Sequence, residues 1–196
     1  LILDMCTGNA PVPLVLSLKT DAKIIGFELQ RAIAELAWES ISINGLDKQI
    51  KVINDDVKNI GEFFKPNTFD VITCNPPYFK INDDKNKNKN DYLTLARHEI
   101  AIDLETIFKL VNRFLKDNGV FYMVHRAERL DEIIILANKY KLNVKEIQFI
   151  STKKNNNPST ILVKCVKNSK IGVKIKREIC VDNLSTYQHL FEGSGK

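Results

Sequence analysis

Short apolar runs alternate along this chain with longer stretches in which apolar positions recur every three or four residues. That alternation predicts strands and amphipathic helices in turn, hence βαβ units and a mostly parallel sheet. Leu1 to Asp4, Lys23 to Glu28, Ile50 to Asn54, Phe69 to Cys74 and Val120 to His125 read as strands. Helices are expected at Pro13 to Lys19, Gln30 to Asn44 and Lys58 to Phe64. A long amphipathic segment, Tyr92 to Lys116, reads as two more and ends at Asn118-Gly119. Pro13 suits a first helical turn, where its missing N–H is not needed, and Gly45 suits the left-handed residue that closes a helix. After a helix at Ala127 to Lys141, the runs Val144 to Ile150 and Thr160 to Val166 are joined through Asn155-Asn156-Asn157-Pro158. Two strands on so short a polar connection form an antiparallel hairpin. The expectation is therefore an α/β fold, with a mostly parallel seven-stranded sheet and an antiparallel C-terminal edge hairpin.

One internal stretch breaks the pattern. Asn82 to Asp91 alternates Lys and Asn, can bury almost nothing, and reads as a mobile loop. Residues 1–180 are expected to form one domain and residues 181–196 a tail, and a chain of 196 residues is long enough to bury a sizeable core. Because Leu1 already lies in a strand, a segment before it is expected to be missing. No apolar run reaches the roughly 18–20 residues that span a bilayer. No charged leader precedes one either, so the expected location is cytoplasmic. Cys6, Cys74, Cys165 and Cys180 are scattered, with no Cys-x-x-Cys pair and no histidine cluster, which points to reduced thiols, away from a metal site or a disulfide framework.

Charge sharpens the picture at one end. From Ser151 to Arg177 there are eight basic residues and no acidic one, which leaves the rest of a +5 chain at −3. Lysines beside phosphates release condensed counterions, so Lys153, Lys154, Lys174, Lys176 and Arg177 are candidates to meet RNA. A solvated lysine-rich face is the competing explanation. Arg97 and His98, one helix after the polar stretch, are further candidates for phosphate, although a helical Arg-His pair is more often solvated or capping.

The candidate chemistry lies at the carboxyl ends of the strands, where open α/β sheets bind ligands. Asp4-Met5-Cys6-Thr7-Gly8-Asn9-Ala10 has small residues, Cys6, Gly8 and Ala10, at the spacing of a nucleotide loop between strand and helix, although small residues also serve plain packing there. Glu28, at the end of the second strand, is placed to accept both ribose hydroxyls of an adenosine. Asp56, after the third strand, can accept from an adenine amino group with the Val57 backbone beside it, or can simply cap a helix. Asp55 is the lesser claimant to that role. Asn75-Pro76-Pro77-Tyr78 ends the fourth strand. Pro76 keeps Asn75 out of the helical region and Pro77 does the same to Pro76, and neither proline has an N–H. The Asn75 amide oxygen and the Pro76 carbonyl can thus face a ligand as pure acceptors for the two hydrogens of an exocyclic amine, while Tyr78 stacks on its ring.

On these residues the chain resembles the amino-methylating class I methyltransferases. It is more narrowly similar to the bacterial tRNA(Val) adenine-N6-methyltransferases, through Lys87-Asn88-Lys89-Asn90 with Ala96-Arg97-His98-Glu99, Val124-His125-Arg126 with Arg129-Leu130, and Thr160-Ile161-Leu162-Val163. The resemblance implies a Rossmann-like methyltransferase fold, S-adenosylmethionine bound on Asp4, Cys6, Gly8, Ala10, Glu28, Asp56, Val57 and Asn75, and transfer to N6 of the adenosine at position 37 of tRNA(Val). Glutamine-amide methylation of a release factor, guanine-N2 methylation of rRNA, and a non-catalytic RNA-binding module of the same fold are the alternatives. His125 has no assigned role.

Overall fold

The computed structural model describes residues 1–78, 102–153 and 157–182. The expected polar loop, the first helix of the long amphipathic segment, Arg97, Lys154 and most of the tail lie outside the described residues. Among those described, β1 (Ile2–Asp4), α1 (Pro11–Ser17), β2 (Ile24–Glu28), α2 (Arg31–Ile43), β3 (Ile50–Asn54) and β4 (Phe69–Cys74) follow one another, with a 3-10 turn at Val57–Glu62. Next come α3 (Leu104–Phe114), β5 (Leu115–Arg126), a 3-10 turn at Ala127–Arg129, α4 (Leu130–Lys139), β6 (Leu142–Ser151) and β7 (Thr160–Lys167). Two short strands, β8 (Lys174–Ile175) and β9 (Ile179–Cys180), complete the set.

The strands form one sheet in the order β3-β2-β1-β4-β5-β7-β6-β8, with β9 also paired to β6. Pairing is parallel from β3 to β5, and β7 lies antiparallel to both β5 and β6. β6 therefore runs in the same direction as β5, and the end of β6 lies on the same side of the sheet as the ends of β1, β2 and β4. Among the described residues the sheet has nine strands where seven were expected. β8 and β9 are two residues each, too short to leave a periodic signal, and are held by parallel pairing to the open edge of β6.

Helices cover both faces. α2 buries Ala34, Ala37 and Ile41 against Ile2, Ile24, Ile50 and Val52, and Leu14 and Leu16 of α1 pack against the same cluster. α3 and α4 bury Ile107, Phe108, Val111, Phe114 and Ile133 against Leu3, Phe27, Phe69, Ile72, Phe121 and Met123 on the other face. Asp103 caps α3, its carboxylate accepting from the Thr106 N–H at 2.8 Å. That helix stops at Phe114, earlier than Asn118-Gly119. Leu115 already pairs with Phe69, and Asn118, at φ 61°, makes an irregularity inside β5 in place of a helix end.

Lys167 departs from its expected place in a basic run. Only 7% exposed, its ammonium donates to the carbonyls of Asn112 (2.7 Å) and Leu115 (2.8 Å) and to Asn67 Oδ1 (2.8 Å). It satisfies the carbonyl groups that the end of α3 leaves without intrahelical partners. The run from Ser151 to Arg177 is thus not one face. Lys167 is buried at the far end of β7, Lys164 pairs with Glu146 at 3.0 Å in mid-sheet, and Lys153 and Arg177 are exposed near the end of β6.

Candidate functional site

The ends of β1, β2, β3 and β4 surround a cavity of about 430 Å³. Its walls include Met5, Cys6 and Gly8 from the first loop, Glu28 and Leu29 after β2, Asp56 and Val57 after β3, and Asn75 to Tyr78 after β4. The volume and the mix of apolar walls with a few carboxylates suit a small-molecule ligand.

The first loop is stitched in place by backbone bonds. The N–H of Met5 donates to the Thr73 carbonyl and that of Thr7 to the Phe27 carbonyl, both at 2.9 Å. Gly26 permits this approach, because a Cβ there would lie 2.9 Å from the Thr7 side chain. Gly8 adopts φ +57° with open space where a Cβ would project, so the backbone lies bare toward the cavity. Ala10 takes the same left-handed conformation at φ 66°, but its side chain is fully buried against α2 and Ile2 and does not line the cavity.

Glu28 is 8% exposed and bonded at both oxygens: Oε2 accepts from the Gly8 N–H at 3.0 Å and Oε1 from the Gln30 N–H at 2.8 Å. A carboxylate has about four acceptor sites, so one on each oxygen is left for a ligand hydroxyl. Asn54 steadies the segment, its amide donating to the carbonyls of Glu28 (2.8 Å) and Leu29 (3.0 Å). Neither Asn54 nor Leu29, a 40%-exposed apolar wall, was picked out from the sequence; their adjacency to Glu28 and to the end of β3 was the available signal.

Asp56 caps the 3-10 turn, accepting from the Lys58 N–H at 2.9 Å, and also pairs with the Lys58 ammonium at 3.0 Å. Both it and Asp55, whose Oδ1 accepts from Asp56 N–H (2.6 Å) and Asn59 (2.9 Å), line the cavity. Asp4 lies behind the site. It is 1% exposed, accepts from the Thr73 hydroxyl at 2.7 Å, and has its pKa raised by burial against that hydrogen bond. It belongs to a second cavity, of about 270 Å³, which shares Asn75 with the first.

Asn75 is exposed while Pro76 is buried, so the acceptor side chain stands out from an anchored backbone. The Tyr78 hydroxyl donates to Asn75 Oδ1, and the Tyr78 ring meets His125 edge to face, with centroids 5.2 Å apart. Of the basic candidates, Lys153, Lys174, Lys176 and Arg177 are exposed. Lys176 lies 3.7 Å from Glu146, and the run Lys176 to Ile179 leads into β9 beside the end of β6. Arg126, at the end of β5, also lines the first cavity.

Residues 1–179 match the family model described as a methyltransferase domain. A relative from Bacteroides thetaiotaomicron named tRNA1(Val) (adenine(37)-N6)-methyltransferase is 30% identical over 176 residues, 88% of this chain and 71% of that one. A relative of the same name from Phocaeicola vulgatus is 27% identical over 162 residues, 83% of this chain and 67% of that one. Among solved structures, one described as a predicted O-methyltransferase from Agrobacterium tumefaciens superposes at a TM-score of 0.72 with 16% identity, covering 100% of this chain and 91% of the other. The geranyl diphosphate C-methyltransferase of Streptomyces coelicolor, solved with S-adenosyl-L-homocysteine, superposes at 0.61 with 10% identity, covering 85% and 70%. These two likenesses concern the fold.

Proposed function

This chain belongs to the methyltransferase-domain family and, within it, to the tRNA1(Val) (adenine(37)-N6)-methyltransferases, and on that premise we propose that it methylates N6 of an adenosine in tRNA, at position 37 of tRNA(Val). Asn75-Pro76-Pro77-Tyr78, standing on the wall of a cavity that also holds Glu28 and Asp56, is the observation that carries the reading.

S-adenosylmethionine, bound in that cavity, supplies a methyl group on a sulfonium. The residues present fit it. Glu28 keeps acceptor capacity for two ribose hydroxyls, Leu29 and Val57 offer apolar walls to an adenine, and Gly8 leaves room for close approach. Asp56 is the acceptor for the adenine amino group, in competition with the Lys58 ammonium that already pairs with it. Cys6 and Met5 close the floor, whereas Asp4 and Ala10 support the loop from behind.

Opposite them, the Asn75 amide oxygen and the Pro76 carbonyl accept the two hydrogens of the target amine and turn its lone pair toward the cavity. Tyr78 stacks on the extruded base. Rate acceleration would come from positioning: N6 bonds to the methyl carbon as the carbon–sulfur bond breaks, and the N–H, made acidic by alkylation, loses its proton to water. Exposed Lys153, Lys174, Lys176 and Arg177 contact phosphates, together with Lys154 and Arg97.

The test is transfer of labelled methyl to tRNA(Val) transcripts, followed by mass spectrometry of the nucleosides. N6-methyladenosine at position 37 is expected. Label on guanine, or on a release-factor glutamine in place of tRNA, would overturn the assignment.

A further inference from the structure

His125 stands at the end of β5, paired on one side through Met123 to β4 and on the other directly to Ile161 of β7. It is 3% exposed, so its ring is fixed by the sheet around it. Its Nδ1 accepts from the Arg126 N–H at 2.9 Å, which puts the ring proton on Nε2 in the neutral form. Burial, reinforced by the nearby charge of Arg129, lowers its pKa and favours that form. With one nitrogen engaged and the other protonated, this imidazole is not set up to take a proton from an amine.

What the ring does touch is Tyr78, at 5.2 Å between centroids and 73° between planes. Tyr78 in turn reaches Asn75 Oδ1 through its hydroxyl. A rigid strand end, an aromatic ring and the acceptor oxygen thus form one connected line. The two prolines hold the backbone of the turn but leave the χ angles of Tyr78 to its neighbours.

We propose that His125 is a positioning residue: its ring holds the Tyr78 ring at the angle from which it stacks on the target base. This rests on the methyl-transfer reading of the Asn75 to Tyr78 turn.

The test compares His125→Leu, which keeps apolar volume without a ring, with His125→Phe, which restores one. His125→Leu should lower kcat/KM for tRNA by about tenfold, the upper range of an aromatic pair contact. The dissociation constant for S-adenosylmethionine should stay within twofold by calorimetry. His125→Phe should recover most of the loss, and His125→Leu should add nothing in a Tyr78→Ala background. In the free chain, the Tyr78 ring resonance should shift in His125→Leu. Failure of rescue by His125→Phe, additivity with Tyr78→Ala, or an unmoved Tyr78 resonance would overturn the positioning role. A parent chain inactive on tRNA overturns instead the proposed function, because the resonance is read without substrate.

Discussion

The Tyr78 phenol donates its hydrogen to the amide oxygen of Asn75, so the acceptor proposed for the target amine is already bonded to a neighbour three residues along the chain. An incoming amine would take the second lone pair of that oxygen or replace that donor. Asn75→Ala is expected to lower kcat by two orders of magnitude or more, about 3 kcal/mol, because the amine loses its orientation. The fold should survive, since Pro76 sets the backbone and Asn75 is exposed. Tyr78→Phe should be tolerated, as stacking needs the ring and not the hydroxyl, whereas Tyr78→Ala should cost about 1–3 kcal/mol, mainly in KM. Single-turnover methyl transfer with thermal unfolding in parallel checks all three. Near-parental turnover by Asn75→Ala would sink the mechanism.

Glu28→Ala should weaken S-adenosylmethionine binding by about 1.5–3 kcal/mol through loss of charge-assisted hydrogen bonds. The variant also strands the N–H groups of Gly8 and Gln30, so the first loop should exchange its amide hydrogens faster. Calorimetry and hydrogen exchange separate the two effects. An unchanged dissociation constant removes Glu28 from the site.

Lys167→Met keeps the apolar stem and deletes the ammonium that three oxygens share. Leaving buried carbonyls without a donor should destabilise the chain by about 2–4 kcal/mol, measured by denaturant unfolding. Cofactor affinity should not change, since Lys167 lies at the opposite end of the sheet from the cavity. A variant as stable as the parent would show that water replaces the ammonium without loss.

Substrate binding should weaken with salt, and neutralising Lys153, Lys174, Lys176 and Arg177 together should flatten the slope of log Kd against log salt by about 0.7 to 0.9 for each phosphate no longer neutralised. Lys164→Gln should leave the slope alone, because its ammonium is paired with Glu146 in mid-sheet. Equal slopes in parent and fourfold variant would mark the basic stretch as a solvated face.

The order of strands and helices, the antiparallel edge and the end of β4 just before Asn75 were legible in the sequence because each depends on a local constraint. Side-chain period, the fixed φ of proline and its missing N–H act within a few residues, so Ile50–Asn54 and Phe69–Cys74 appear at the expected bounds. The place of Glu28 at the end of β2, on the wall of the first cavity, was legible for the same reason.

Only the tertiary structure decided which residues meet across the chain. Lys167 read as one more surface charge until β7 brought it to the end of α3, 55 residues away from Asn112 in sequence. Ala10 fitted a ligand loop by size, yet the direction of its Cβ was settled by the packing of α2. His125 gained a partner when the parallel pairing of β4 with β5 set their two ends side by side. The strands β8 and β9 exist because β6 offers an unpaired edge, and two residues cannot announce a strand alone. Sequence periodicity encodes which face of an element is apolar; which residue stands opposite it is fixed only when the sheet closes its register.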